Sequence, residues 1–216
     1  MGLTHVFSKG EEVANAITHG IGALFSVVAL TLLVIQSSLY GTGWHIVSFT
    51  IYGVTMLLLY ISSTMVHSLR PGKAKDVFEI FDHAAIYLFI AGTYTPILLV
   101  VVGGALGWTL FAIVWGLAVI GVVFKVWFAK RFIILSTLFY LLMGWLAIFA
   151  FGPIRESLPS VGLWLLVSGG IVYSLGTIFY MWRWFLYHHA IWHMFVVAGS
   201  VCHFLLIIRY VLPVSV

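Results

Sequence analysis

Seven long, almost uncharged apolar runs constrain this chain more than any other feature. They fall at roughly 17–39, 43–68, 83–102, 106–128, 131–151, 161–182 and 190–212. A helix crossing the hydrocarbon core of a bilayer needs about 20 mostly apolar residues, and each run meets that length. Lipid offers the backbone no hydrogen bonds, so only helices and closed barrels span it. Barrel strands alternate in polarity over about 10 residues, whereas these runs are continuously apolar. The sequence therefore predicts an all-α membrane protein, a seven-transmembrane helix bundle. Only 7% of the 216 residues are charged, against about 25% in soluble domains. The runs and their short connections use nearly the whole length, so residues 1–216 are expected to form a single integral-membrane domain.

The few charges predict how the bundle sits. With the N-terminus in the cytoplasm, Lys9, Arg70, Lys73, Lys75, Lys125, Lys130, Arg131 and Arg183 fall inside, and only Arg155 and Arg209 fall outside. That bias follows the positive-inside rule, and an odd number of spans then puts the C-terminus outside. The net charge of +4 is absorbed by this orientation. No helix-turn-helix, Cys/His finger or stacking motif points to nucleic acid; the expected surroundings and partners are membrane lipids. Met1 to Ala16 show no apolar core with a cleavage site, so no removable signal peptide is expected. Met1-Gly2 opens like a myristoylation signal, but Val6 stands where Ser or Thr belongs. The single cysteine, Cys202, forbids an intrachain disulfide.

Ionisable residues in spans are costly and mark function. In this topology the end of the second span and the starts of the first, third and seventh share the cytoplasmic face. His67 closes the second span, Asp82 opens the third, and His189 and His193 open the seventh. His189 and His193 are four apart, as are Ser63 and His67, so each pair shares a helix face. Three imidazoles with a nearby acid match the ligand count of a zinc site that keeps one position open. Such a metal lowers the pKa of its water to about 7. Asp82 can hydrogen-bond that water as base or positioning group, and Ser63 can hold the water or a substrate carbonyl. Taken singly, these residues have blander roles: Asp82 as the N-cap of the third helix, Ser63 bonded back to a helix carbonyl, the histidines as polar span ends. Their convergence on one face favours the metal site, with zinc the metal best suited to histidine ligation.

Other polar residues are less directive. His5 lies in the tail and His45 near the outer face, both expected in solvent. His83 and His188 adjoin the candidate ligands but point to other helix faces. His203 lies about 15 Å above His193 at the helical rise and reads as a hydrogen-bonded core histidine or a minor relay group. Glu12, Asn15 and His19 share a face, as a polar helix entry or as support for the site. Pro96 is expected to kink or loosen the third helix, with Thr93 and Thr95 satisfying freed carbonyls.

Glu12-x-x-Asn15-x-x-Thr18-His19-x-x-Gly22, Ser63-x-x-x-His67, Asp82 and His189-x-x-x-His193 together resemble the hemolysin III proteins, part of the wider progestin and adipoQ receptor family. The resemblance spans nearly the whole chain. It implies a seven-helix bundle with zinc near the cytoplasmic face, His67, His189 and His193 as direct ligands, Asp82 bound through the zinc water, and Ser63 close by. The family is also similar to membrane ceramidases, and its bacterial members are linked to cytolysis by name and to membrane-lipid homeostasis. The leading expectation is thus a multi-pass cell-membrane protein that hydrolyses lipid amides or esters through zinc. A non-catalytic sensor or receptor with structural zinc, and a pore-forming cytolysin, are the alternatives.

Overall fold

A computed structural model of the chain describes residues 7–128 and 131–214. His5 and Lys130 lie outside these residues. Eight α-helices are found among them and no strand: α1 Lys9–Tyr40, α2 Gly43–Ser68, α3 Lys73–Pro96, α4 Gly104–Phe128, α5 Ile133–Gly144, α6 Phe151–Ser157, α7 Ser160–Met181 and α8 His188–Leu206. A wide π turn, Ile97–Val102, extends α3, and another, Ile207–Val211, extends α8. A 3-10 turn, Leu146–Ala150, joins α5 to α6 in one span. The described residues thus hold seven helical spans long and apolar enough to cross a membrane.

Local chemistry sets the helix ends. Ser8 and Glu11 form a capping box that starts α1 eight residues earlier than its apolar run. Pro71 disfavours helix at Arg70 before it, which stops α2. Beyond the turn at Gly72, α3 begins at Lys73, not near Asp82. The first third of α3 is amphipathic, carrying Lys73, Lys75, Asp76 and Glu79, so an apolar-run reading starts it too late. Asp82 consequently lies inside α3 and is not its N-cap. Consecutive glycines at positive φ, Gly103 (59°) and Gly104 (56°), turn the chain from α3 into α4.

The fifth span breaks at Trp145, and the freed backbone groups find a partner. The Tyr94 hydroxyl donates to Gly144 O at 2.7 Å and accepts from Ala147 N at 2.8 Å. Helix α3 does not stop at Pro96. It passes into the π turn, while the Thr93 and Thr95 hydroxyls bond back to Phe89 O and Ala91 O.

Helices pack in sequence order α1–α2–α3–α4 and α7–α8, and α1 closes against α8. Buried Tyr52 and Tyr60 of α2 and half-buried Tyr173 of α7 converge on Ser200 of α8. Tyr60 and Tyr173 hydroxyls lie 2.7 and 2.9 Å from Ser200 Oγ, which donates to Val196 O, and Tyr52 donates to Ser200 O. This closed knot ties three helices near mid-membrane. Outward-facing Leu24, Ile120, Leu142 and Trp164 are strongly exposed in the isolated chain, as lipid-facing positions must be.

Candidate metal centre

His67 ends α2 and His189 and His193 open α8, and the bundle brings all three together. Their nearest ring nitrogens all lie within 4.8 Å of one another. His67 and His193 are buried and His189 half-buried. The His189 and His193 rings sit 4.5 Å apart, one helical turn on one face. His67 crosses from α2 to within 5.2 and 5.3 Å of them, measured between ring centres.

The surrounding groups fix which nitrogens face inward. Glu12 Oε2 lies 2.6 Å from His67 Nδ1, and Lys75 Nζ donates to Glu12 Oε1 at 2.6 Å. His193 Nδ1 lies 3.2 Å from Asn15 O and 3.1 Å from Thr18 Oγ1. With Nδ1 held in this way, Nε2 of both rings is the free lone pair. His67 Nε2 is buried with no partner among the described residues. A buried unpartnered acceptor is costly, and a cation beside three imidazoles removes that cost. The carboxylate–histidine arrangement is the one that orients metal-ligating imidazoles. The donor set therefore fits a metal ion, with three nitrogens to hold it.

Glu12 resolves the open reading of the α1 face: it supports His67 directly. Lys75 was read only as a charge that sets orientation, and it joins the site because α3 starts at Lys73. Thr18 stood in the motif, but its contact with His193 was masked because a threonine in a helix usually bonds back, as its hydroxyl also does to Ala14 O. His19 stacks on His193 at 3.4 Å and 12°. Phe7, just before α1, packs against the centre, its ring 5.8 Å from His67 and 5.1 Å from His189.

Ser63 lies one turn before His67, fully buried, and its hydroxyl has no partner among the described residues. Its neighbours Ser62 and Thr64 do bond back to Leu58 O and Tyr60 O, so the bland reading fits them and not Ser63. Asp82 lies outside the triad. It lines, with His189 and His193, a cavity of about 410 Å³ in the interior of the bundle. Neither His67 nor Ser63 lines that cavity. His188 is turned away, its Nδ1 on Phe179 O at 3.0 Å, and His83 bonds back to Glu79 O. His45 corrects the expectation of a solvated residue: it is buried, and its Nδ1 accepts from Thr42 N at 3.1 Å as the cap of α2.

Fold and cluster together define a multi-pass membrane protein with a buried three-histidine centre able to hold a metal ion. A family profile described as "Haemolysin-III related" matches residues 7–204. The chain is 56% identical to "Hemolysin-3 homolog" of Bacillus subtilis (strain 168), over 97% of this chain and 98% of the relative. It is 53% identical to "Hemolysin-3" of Bacillus cereus, over 95% and 94%. An identity of 29% to "Monocyte to macrophage differentiation factor" of Homo sapiens, over 93% and 84%, extends the likeness to the wider progestin and adipoQ receptor family. The chain belongs to the haemolysin III family and is a multi-pass protein of the bacterial cell membrane.

Proposed function

We propose that this chain is a zinc-dependent hydrolase of lipid amide or ester bonds, acting in membrane homeostasis near the cytoplasmic face. One observation carries the reading: the histidine cluster borders a cavity within the bundle. His189, His193 and Asp82 contribute to the same wall, and Leu59, Ile86, Phe89, Ile90 and Val196 continue it. Its volume of about 410 Å³ falls within the usual range of small-molecule pockets. An apolar wall takes an acyl chain, and the polar end takes the carbonyl.

His67, His189 and His193 would hold a zinc ion, which would supply Lewis acidity and a water acidified to near neutrality. Asp82 accepts the proton that the water loses as its oxygen bonds to the substrate carbonyl carbon. It then returns that proton to the departing amine or alcohol as the C–N or C–O bond breaks. Ser63 does not line the cavity, so its uncommitted hydroxyl would hold the water and not the substrate carbonyl. Glu12 holds the His67 ring in place, and Lys75 balances the Glu12 charge.

The test is release of free fatty acid from a panel of ceramides, other amide lipids and ester lipids by purified, zinc-loaded protein. Release that disappears in Asp82→Ala supports the proposal. No release from wild type across the panel sinks it. A second reading has its own support, because the histidines join α2 to α8 across more than 120 residues of chain. Zinc would then be a staple in a non-catalytic sensor. On that reading His189→Ala melts the protein and no lipid is consumed.

A further inference from the structure

A lipid carbonyl at the polar end of the cavity needs a hydrogen-bond donor, because negative charge gathers on its oxygen when water adds to it. Ser63 lies outside the cavity. The serine and threonine hydroxyls on the cavity wall bond back to their own helices. Tyr94 donates to Gly144 O and Tyr140 to His83 O, and Tyr173 is held at Ser200 Oγ. Of the hydroxyls that line the cavity, Tyr180 is left with its hydrogen unspent.

Tyr180 stands next to the last residue of α7. Its ring packs on α8, with its centre 5.9 Å from that of His189 and 5.5 Å from that of Trp192. The charges that act on its hydroxyl are Asp82, then Arg183 and Glu79, and the two carboxylates belong to α3. The ring therefore lies against α8 while the hydroxyl reaches away from it toward α3, at the end of the cavity that His189 and Asp82 also line. The residue is 7% exposed. Its hydroxyl makes no hydrogen bond to a described residue, yet it is not among the sealed polar atoms, which include Ser63 Oγ and both ring nitrogens of His19. It is thus a reachable donor on a ring fixed by packing, which is what stabilising a developing oxyanion requires.

We propose that Tyr180 is a catalytic residue: its hydroxyl donates a hydrogen bond to the substrate carbonyl oxygen and holds the oxyanion that forms there. The proposal rests on the lipid-hydrolase reading above. As the water oxygen bonds to the carbonyl carbon, the C=O π pair moves onto the carbonyl oxygen. Tyr180 keeps its proton throughout, and its hydrogen bond strengthens with the charge. When the C–N or C–O bond breaks, that pair re-forms the C=O bond, and the leaving group takes the proton held by Asp82. A contact that strengthens only as charge develops raises kcat and leaves KM alone.

The test is Tyr180→Phe in full-length, zinc-loaded, detergent-purified protein. For a lipid that wild type hydrolyses, kcat for fatty-acid release should fall about 100-fold with KM unchanged. Inhibition by the matching phosphonate, whose tetrahedral P–O⁻ group copies the intermediate, should weaken by a similar factor. Binding of the matching ether lipid, which has no carbonyl, should not change. Zinc content and the thermal midpoint should equal those of wild type, because the hydroxyl holds nothing in the protein. A kcat near that of wild type overturns the proposal alone, as does a loss carried by KM or an undiminished affinity for the phosphonate. A variant that unfolds or loses zinc also overturns it, since the hydroxyl then serves the fold and not the substrate. If wild type releases no fatty acid from any lipid, the hydrolase reading falls and the role of Tyr180 with it.

Discussion

At the scale of residues, the centre is built in two layers with different expected costs on removal. His193→Ala and His189→Ala each delete a ligand nitrogen, so purified variants should lose the metal measured by mass spectrometry on wild type. Full retention in both would show that the triad does not hold it. Glu12→Gln keeps size and one hydrogen bond but removes the charge beside His67 Nδ1. Groups in this position typically change metal affinity by roughly 10- to 100-fold, and chelator competition should show a loss in that range. Lys75→Met should do less, since Lys75 acts on His67 only through Glu12 and is partly solvated. The convergence of the three histidines was legible in the sequence because a four-residue spacing puts two imidazoles on one face. The supporting layer was half legible. Glu12 and Asn15 stood out as rare polar residues in an apolar helix. Lys75 lay in what read as a loop, and Thr18 stood in the motif without a role because it has a default partner in its own helix.

At the scale of elements, apolar runs locate spans but not their ends. A run reading begins at the first sustained hydrophobic stretch, and so misses the amphipathic turns that carry helices into the interface. For α1 and α3 those turns hold Glu11, Glu12 and Lys75, the residues that pin the helix mouths around the centre. Breaks inside a span are also invisible to hydropathy. The discontinuity at Trp145 leaves every residue apolar, and only the Tyr94 hydroxyl, which serves both Gly144 O and Ala147 N, betrays where it lies. Tyr94→Phe therefore strands two backbone groups in a medium with few alternatives. It should destabilise the protein by about 1–3 kcal/mol, seen as a lower midpoint in thermal unfolding, with metal content unchanged. A midpoint equal to wild type would mean that the broken span satisfies itself without Tyr94. Gly107→Ala tests a tighter constraint. Its Cβ would run into the carbonyl of Leu98, backbone of the π turn that cannot swing aside like a side chain. A loss of about 1–3 kcal/mol is expected there also.

At the scale of the whole molecule, alternation of spans brings one end of α2 together with the starts of α1, α3 and α8. The three-histidine cluster and its supporting residues exist only because those four ends meet. The structure groups the opposite end as well: Ser157, which ends α6, and Pro159, just before α7, lie beside Arg209 and Tyr210 of the π turn that extends α8. Which end faces the cytoplasm follows from charge. Lys9, Arg70, Lys73, Lys75, Arg131 and Arg183 flank the metal-centre end, against Arg155 and Arg209 at the other. Positive residues near span ends are held on the cytoplasmic side, so the centre should open toward the inner leaflet. Cysteine labelling decides it. In a Cys202→Ser background, Pro159→Cys should react with a membrane-impermeant maleimide on intact cells, and Gly72→Cys only after permeabilisation. The reverse pattern would place the centre outside. It would also move the proposed chemistry to the outer leaflet, because the histidines, Asp82 and the Gly72 turn belong to one end of the bundle and cannot be separated from it.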